Sequence, residues 1–338
     1  MESNEGKRSL TVVVTLLLLF VAHGPLGPGL LLRAQSSEQT WEQAAGGKQQ
    51  FDVASVRENK SDGRSYSNFS LDNGNAYFTV SKKDQLSPSG SLFSANNQTL
   101  MRYIIFAYKL SGTQELALRF DFFEGLKLHV PEWVRNDRFD IQARAPGQVS
   151  KDQMRLMMQS LLAERFKLAV HMETREAPVF TLELARPGEL GPYLRRHPAS
   201  DDCANTAFPK GSANVVPAAD SLSALPIPCG VIAHLPSTAP GFTRFGGRDV
   251  ALAMLATSLP TQTGMATLPR PVIDETGLRG EYDFSLEWTF EDSSEGNSQE
   301  SGGTFREALK DQLGLKLKPE KKAVEVLVID HIEPPAPN

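Results

Sequence analysis

Apolar residues at Leu100, Tyr103, Ile104, Ala107 and Tyr108 fall at i, i+3, i+4, i+7 and i+8, one face of a helix. Asn96 or Asn97 is positioned to cap its start. A second helix opens with Ser150 and Gln153, a capping-box pair, and carries Met154, Met157, Met158, Leu161 and Leu162 on one face. Thr304 and Glu307 repeat that signal before Phe305, Ala308, Leu309 and Gln312. Val250 to Leu259 is a short apolar helix with Asp249 as its expected cap. Alternation with period two predicts strands at Phe51–Val56, Arg138–Ala143 and Glu281–Trp288, and a further strand near Ala76–Val80. Two hairpins are expected. One turns through Glu173–Glu176 between Phe166–Val170 and Val179–Leu184. The other turns through Pro319–Lys322 between Leu313–Leu317 and Val324–Ile329.

These elements fall into two similar halves. Arg138-Phe139-Asp140-Ile141 lies over Glu281-Tyr282-Asp283-Phe284. Leu162 to Val170 lies over Leu309 to Leu317 without a gap. A repeat of this length points to duplication rather than to a solenoid, whose periods are shorter, and its alternative is two unrelated αβ units with a common element order. The expected fold class is α+β: two related units of helix-strand-helix-hairpin order, each a small mixed sheet packed on helices. The predicted organisation is a signal peptide over 1–34, a flexible N-terminus over 35–50, a first unit over 51–186, a connector over 187–240 and a second unit over 241–334. The connector holds nine of the 22 prolines. Residues 291–303 are acidic and rich in Ser and Gly, a loop composition.

The N-terminus changes the picture of where the chain works. Lys7 and Arg8 precede an apolar run from Leu10 to Ala22, too short to span a ~30 Å hydrocarbon core comfortably. This is the order of a secretory signal, with cleavage expected after Ala34. The rival reading is an uncleaved anchor, and membrane contact is expected only in that case. Export then bears on the two cysteines, Cys203 and Cys229. In an oxidising compartment they are expected to form a disulfide, contributing about 3.5 kcal/mol by loop-closure entropy. The periplasm or the extracellular space is the expected location. A net charge of −5 argues against a nucleic-acid partner, which would demand a basic face.

Catalytic motifs are missing from the chain. It has no G-x-S-x-G elbow, no phosphate-binding glycine loop and no H-E-x-x-H. Its six histidines are scattered, and none has another at i+3 to i+5, so no catalytic residue, cofactor or metal is predicted. His171 with Glu173 reads as a solvated strand end. Asp330 and His331 are neighbours on a strand and face opposite sides. The densest polar stretch runs from Asp274 to Asp283. It offers Asp274, Thr276, Gly277, Gly280 and Asp283 as a candidate loop for a cation or ligand, since hard cations take several oxygens. The plainer reading has Gly277 and Gly280 supplying turn geometry while Asp274 and Thr276 hold turn amides.

Taken in order, several short pieces resemble one family. They are Phe51-Asp52-Val53-Ala54-Ser55-Val56, Pro131-Glu132-Trp133, Arg138-Phe139-Asp140-Ile141, Leu161 to Leu168, Pro271 to Leu278, Gly280 to Phe284, Gln312 to Leu317 and Val328 to His331. The chain resembles the soil-associated family of uncharacterised exported bacterial proteins, abundant in acidobacteria. In some of its members this domain is attached to a BlaR-type peptidase sensor. That peptidase segment has no counterpart here, so its activity is not carried over, and the resemblance supplies no catalytic residues. The unit order is also similar to the small N-terminal domains of secretins and TonB-dependent receptors, a likeness of fold alone. The resemblance implies an exported binding or sensory module of the cell envelope without catalytic activity, its partner an envelope protein or an extracellular ligand. Two alternatives stand beside it. One is a hydrolase of envelope or extracellular polymer, which a buried His–carboxylate pair would favour. The other is a structural protein that self-associates through strand edges.

Overall fold

A computed structural model of the chain describes residues 40–68, 71, 90–120, 123–200, 229–264, 268–289 and 304–335. The predicted signal segment, the strand near 76–80, Cys203 and the acidic loop 291–303 lie outside the described residues. The first elements are α1 (Trp41–Ala44), β1 (Val53–Asn59), β2 (Tyr66–Ser67), β3 (Leu92–Thr99), α2 (Leu100–Ala107), α3 (Gly112–Arg119), α4 (Glu132–Asn136), β4 (Arg138–Arg144), α5 (Lys151–Arg165) and β5 (Ala169–Leu184). Then come β6 (Leu194–Arg196), β7 (Val231–Leu235), β8 (Phe242–Ala251), α6 (Leu252–Gln262), β9 (Val272–Asp274), β10 (Glu281–Thr289), α7 (Phe305–Leu313) and β11 (Leu315–His331). The mixed α+β class is as expected. Residues 40–50, expected to be flexible, contain α1, and Ser160 Oγ on α5 donates to Gln49 O at 2.6 Å.

Two lobes share one plan. The first sheet has strand order β1-β4-β3-β2 and the second β6-β10-β8-β7, with every neighbour antiparallel. In each, one inner strand runs straight into a helix: β3 into α2, β8 into α6. The helix that follows the other inner strand, α5 or α7, packs into the core of its own lobe. Ser150 and Thr304 cap α5 and α7 with the predicted capping boxes. The apolar faces of those helices are buried, through Met158, Leu161 and Leu162 on α5 and Phe305, Ala308 and Leu309 on α7. Phe139 meets Phe166 edge-on at 5.1 Å in the first core, and Trp288 meets Phe305 at 5.5 Å in the second. Trp288 is thus a core residue.

Three local expectations are corrected. The cap of α2 is Thr99, not Asn96 or Asn97. The residue before α6 is Ala251, and Asp249 makes no cap. Asn97 and Asp249 instead take left-handed backbone, with φ of 55° and 53°. Each lies where the register of its strand slips, so each sits at a bulge. Asn and Asp tolerate that conformation better than other side chains do. The 187–240 segment is not irregular throughout: β6 and β7 arise from it and form both edges of the second sheet.

The larger correction concerns the hairpins. Neither turn exists. β5 and β11 are continuous strands of 16 and 17 residues, paired antiparallel with each other along nearly their full length. β9 joins β5 in parallel over Phe180–Leu182. Polar residues mimicked turns because this ribbon keeps one face in solvent. Arg175 donates to Glu173 at 2.8 Å, and its bound guanidinium holds that carboxyl below the usual range. Lys318 and Lys322 do the same for Glu320. Pro319 is tolerated because β11 is an edge strand with no ladder amide required on its outer side. At about 3.3 Å per residue the ribbon reaches roughly 50 Å, long enough to serve both cores. Phe180 and Leu182 of β5 lie in the second core, whereas Val324, Val326 and Leu327 of β11 lie in the first.

Candidate functional site

The bulges need something to hold their inverted backbone, and an aspartate does so in each lobe. In the first sheet the Asn97 N–H donates to Asp140 Oδ1 at 2.8 Å. Asn59 Nδ2, from the end of β1, donates to the same oxygen at 2.8 Å. Arg57 stands opposite Asp140 in the register. Asp140 and Asn59 are half-buried here, while Asn97 is buried.

The second sheet repeats the arrangement with different chemistry. The Asp249 N–H donates to Asp283 Oδ1 at 3.1 Å. Arg195 stands opposite Asp283, as Arg57 does opposite Asp140, and donates from Nε and Nη2 to Oδ2 at 3.2 Å each. Two positions after Arg195, where the first sheet has Asn59, stands His197. Its Nδ1 lies 2.6 Å from Asp283 Oδ1, and its backbone N–H donates to Glu281 O at 2.9 Å. Here the corner is closed: the Asp283 side chain is 1% exposed and that of His197 7%. Ser285 and Arg244 beside it are also buried, with Arg244 Nε donating to Ser285 Oγ at 2.9 Å.

A fourth segment reaches the corner from the turn before β7. Gly230 N–H donates to Arg248 O at 2.8 Å, which brings Cys229 against the bulge. A ring nitrogen of His197, Cys229 Sγ and an Asp249 carboxylate oxygen all lie within 4.8 Å of one another. Cys229 is not a free thiol. Cys203, its expected disulfide partner, lies outside the described residues. A carboxylate-held imidazole next to a sulfur and a second carboxylate can exchange a proton or accept a cation.

The candidate loop read from the sequence divides at this point. Asp274 Oδ1 accepts from the Thr276 N–H at 3.0 Å and its hydroxyl at 2.8 Å, and Thr276 Oγ1 accepts from the Leu278 N–H at 3.2 Å. Gly277 and Gly280 have φ of 70° and 89°. Asp274, at the end of β9, and Thr276 thus hold local amides, and the two glycines take left-handed backbone. Asp283 alone enters the polar corner. No local sequence pattern marks His197, Arg195 or Asp249 as site residues. The available signal was the match of Arg57-Glu58-Asn59 with Arg195-Arg196-His197, hidden because β6 is only three residues long.

The other histidine pairs are exposed. His171 Nδ1 lies 2.8 Å from Asp330 Oδ1, and His331 Nε2 2.8 Å from Glu333 Oε1, so Asp330 and His331 do face apart. A cleft of about 330 Å3 opens between α3 and α6, lined by Leu116, Phe120, Met254 and Ser258 among others. Its acidic group, Glu115, is already held by Arg119 at 2.7 Å. No helix among the described residues is long and apolar enough to cross a membrane.

Comparison with curated proteins and with solved structures returned no match. A family model does match, over residues 102–332, a span that runs from α2 through both lobes to the end of β11 and takes in Asp140, His197, Cys229, Asp249 and Asp283. The chain therefore belongs to the family described as protein of unknown function, DUF3738.

Proposed function

We propose that the chain works outside the cytoplasm as a non-catalytic binding or sensory module of the cell envelope, its partner an envelope protein or an extracellular ligand. Among the described residues, the buried His197–Asp283 pair favours the hydrolase alternative, because an oriented imidazole is the usual general base. Its burial supports the opposite reading. A polymer must bring its scissile bond within about 3 Å of such a base, and the pair is only 7% and 1% exposed. Asp283 is further engaged by the Asp249 amide and Arg195, so it anchors a bulge as well as orienting a ring. Self-association through β11 is disfavoured by Pro319 and by Lys316, Lys318, Lys321 and Lys322, since charge and proline blunt an edge. Export is supported by the basic-then-apolar N-terminus and agrees with the expected Cys203–Cys229 disulfide.

The test is turnover. The full chain and a His197→Ala variant are incubated with peptidoglycan, with soluble polysaccharides, and with chromogenic ester and peptide substrates. The two should release product equally, at the level of the buffer blank. Product release that His197→Ala abolishes would establish a hydrolase and end the binding reading.

A further inference from the structure

We infer that, once Cys229 is reduced, His197, Cys229 and Asp249 form a site for a borderline-soft divalent cation of the zinc type. The inference rests on the binding-module reading and names its ligand class. Three independent observations carry it. The first is convergence: one donor atom from each residue lies within 4.8 Å of the others, on three separate segments. A tetrahedral zinc holds N, O and S donors at about 2.0–2.3 Å, and so about 3.3–3.8 Å from each other. Small side-chain rotations close that gap.

The second observation is the support behind the imidazole. The Asp283 carboxylate, 2.6 Å from His197 Nδ1, orients the ring. A carboxylate behind a histidine is the usual outer partner of a metal-bound ring, and it raises the basicity of that ring. The third is the contrast between the lobes. The first sheet has the same bulge, the same aspartate and an opposing arginine, but Asn59 and Asn97 stand where the second has His197 and Asp249. Amide side chains suffice to hold a bulge. The second lobe replaces both with ligand-type residues at one corner and adds a sulfur.

The sulfur makes the site conditional. A zinc ligand must be a thiolate, and Cys229 is not a free thiol here. Opening a Cys203–Cys229 disulfide takes two electrons and two protons from a dithiol oxidoreductase, whose own thiols close to a disulfide. The Cys229 thiol then gives up its proton as the cation binds. The same sulfur is thus either a cross-link or a ligand.

The experiment titrates Zn2+ into the full chain against a chromophoric chelator, with and without a phosphine reductant. Co2+ replaces Zn2+ in a parallel series to read the thiolate-to-metal charge-transfer band. Reduced protein should bind one equivalent at least tenfold more tightly than oxidised protein and show the band. Cys203→Ser leaves Cys229 unpaired and should bind without reductant. Cys229→Ser should lose both the tight binding and the band. Asp283→Asn should weaken binding by about 10–100-fold, the range for an outer-shell partner. Far-UV circular dichroism confirms that each variant is folded. If reduced wild-type protein and folded Cys203→Ser both fail to bind, or if Cys229→Ser binds as tightly as wild type, the site is overturned, while the non-catalytic reading still rests on the turnover assay. Zinc-dependent hydrolysis would do the reverse, supporting the site and ending the non-catalytic reading.

Discussion

Asp140 and Asp283 grip equivalent backbone amides, yet losing their charge should have unequal effects. Asp140 is half-buried and accepts from two neutral donors, the Asn59 side chain and the Asn97 amide, both on one oxygen. An asparagine keeps that oxygen, so Asp140→Asn should cost less than about 1 kcal/mol. Asp283 is buried and accepts on both oxygens, one of them facing Arg195 and the other His197. Asparagine would turn an NH2 toward one of those donors. Arg195 is 54% exposed, so its share is discounted for solvent screening. The remainder predicts a loss of about 1–3 kcal/mol for Asp283→Asn. Urea midpoints of the two variants check this, and equal shifts would contradict the difference in burial. At this scale the sequence was legible in part. Asp283 stood out by its density of neighbouring carboxylates, but for the wrong partners. Asp249 precedes an apolar run, and a polar residue in that place signals a helix cap and a bulge alike. Only pairing across strands separates the two, and no local pattern records which strand lies opposite.

Among the elements, those decided locally were readable. The capping boxes at Ser150 and Thr304 and the apolar stripes behind them stand where expected. The long strands were not, because a solvated ribbon face and a turn share one composition: Glu173 to Glu176 and Pro319 to Lys322 serve the former. The junctions between helix and long strand carry a testable equivalence. Lys167, one residue past the Phe166 cap of α5, has φ of 51°, and Gly314, its counterpart in the gapless match, caps α7 with φ of 71°. A Cβ on Gly314 would also stand 2.6 Å from Gly191 N and 3.1 Å from Glu189 O. Gly314→Ala should therefore cost more than the ~1–2 kcal/mol of left-handed strain. Lys167→Gly relieves such strain and loosens the unfolded chain, so it should range from neutral to about 1 kcal/mol stabilising. Thermal melts of both variants decide it. A Lys167→Gly loss as large as that of Gly314→Ala would mean the two junctions are built differently.

For the molecule as a whole, the ribbon makes two cores into one folding unit. Phe180 and Leu182 reach the second core from a strand that begins in the first, and Val324 to Leu327 make the reverse journey. Melting either lobe strips side chains from the other. Leu162→Ala and Leu309→Ala, each removing a fully buried side chain, should cost about 2–5 kcal/mol and lower one shared calorimetric transition. Two separable peaks in either variant would show that the lobes melt apart. The crossing point has one more implication. Leu162 matches Leu309 at an offset of 147 positions, and the same offset carries Glu176 onto Ala323, its partner across the ribbon. The strands thus cross at corresponding residues, as across a dyad. Had a single half once existed by itself, its long strand would have ended in a core it did not contain. A second copy, related by a twofold rotation with position 176 facing its own image, would have completed both. Fusing two such genes would then tie an ancestral homodimer into one chain and free its subunits to diverge, one keeping a plain bulge pin and the other gaining His197 and Cys229.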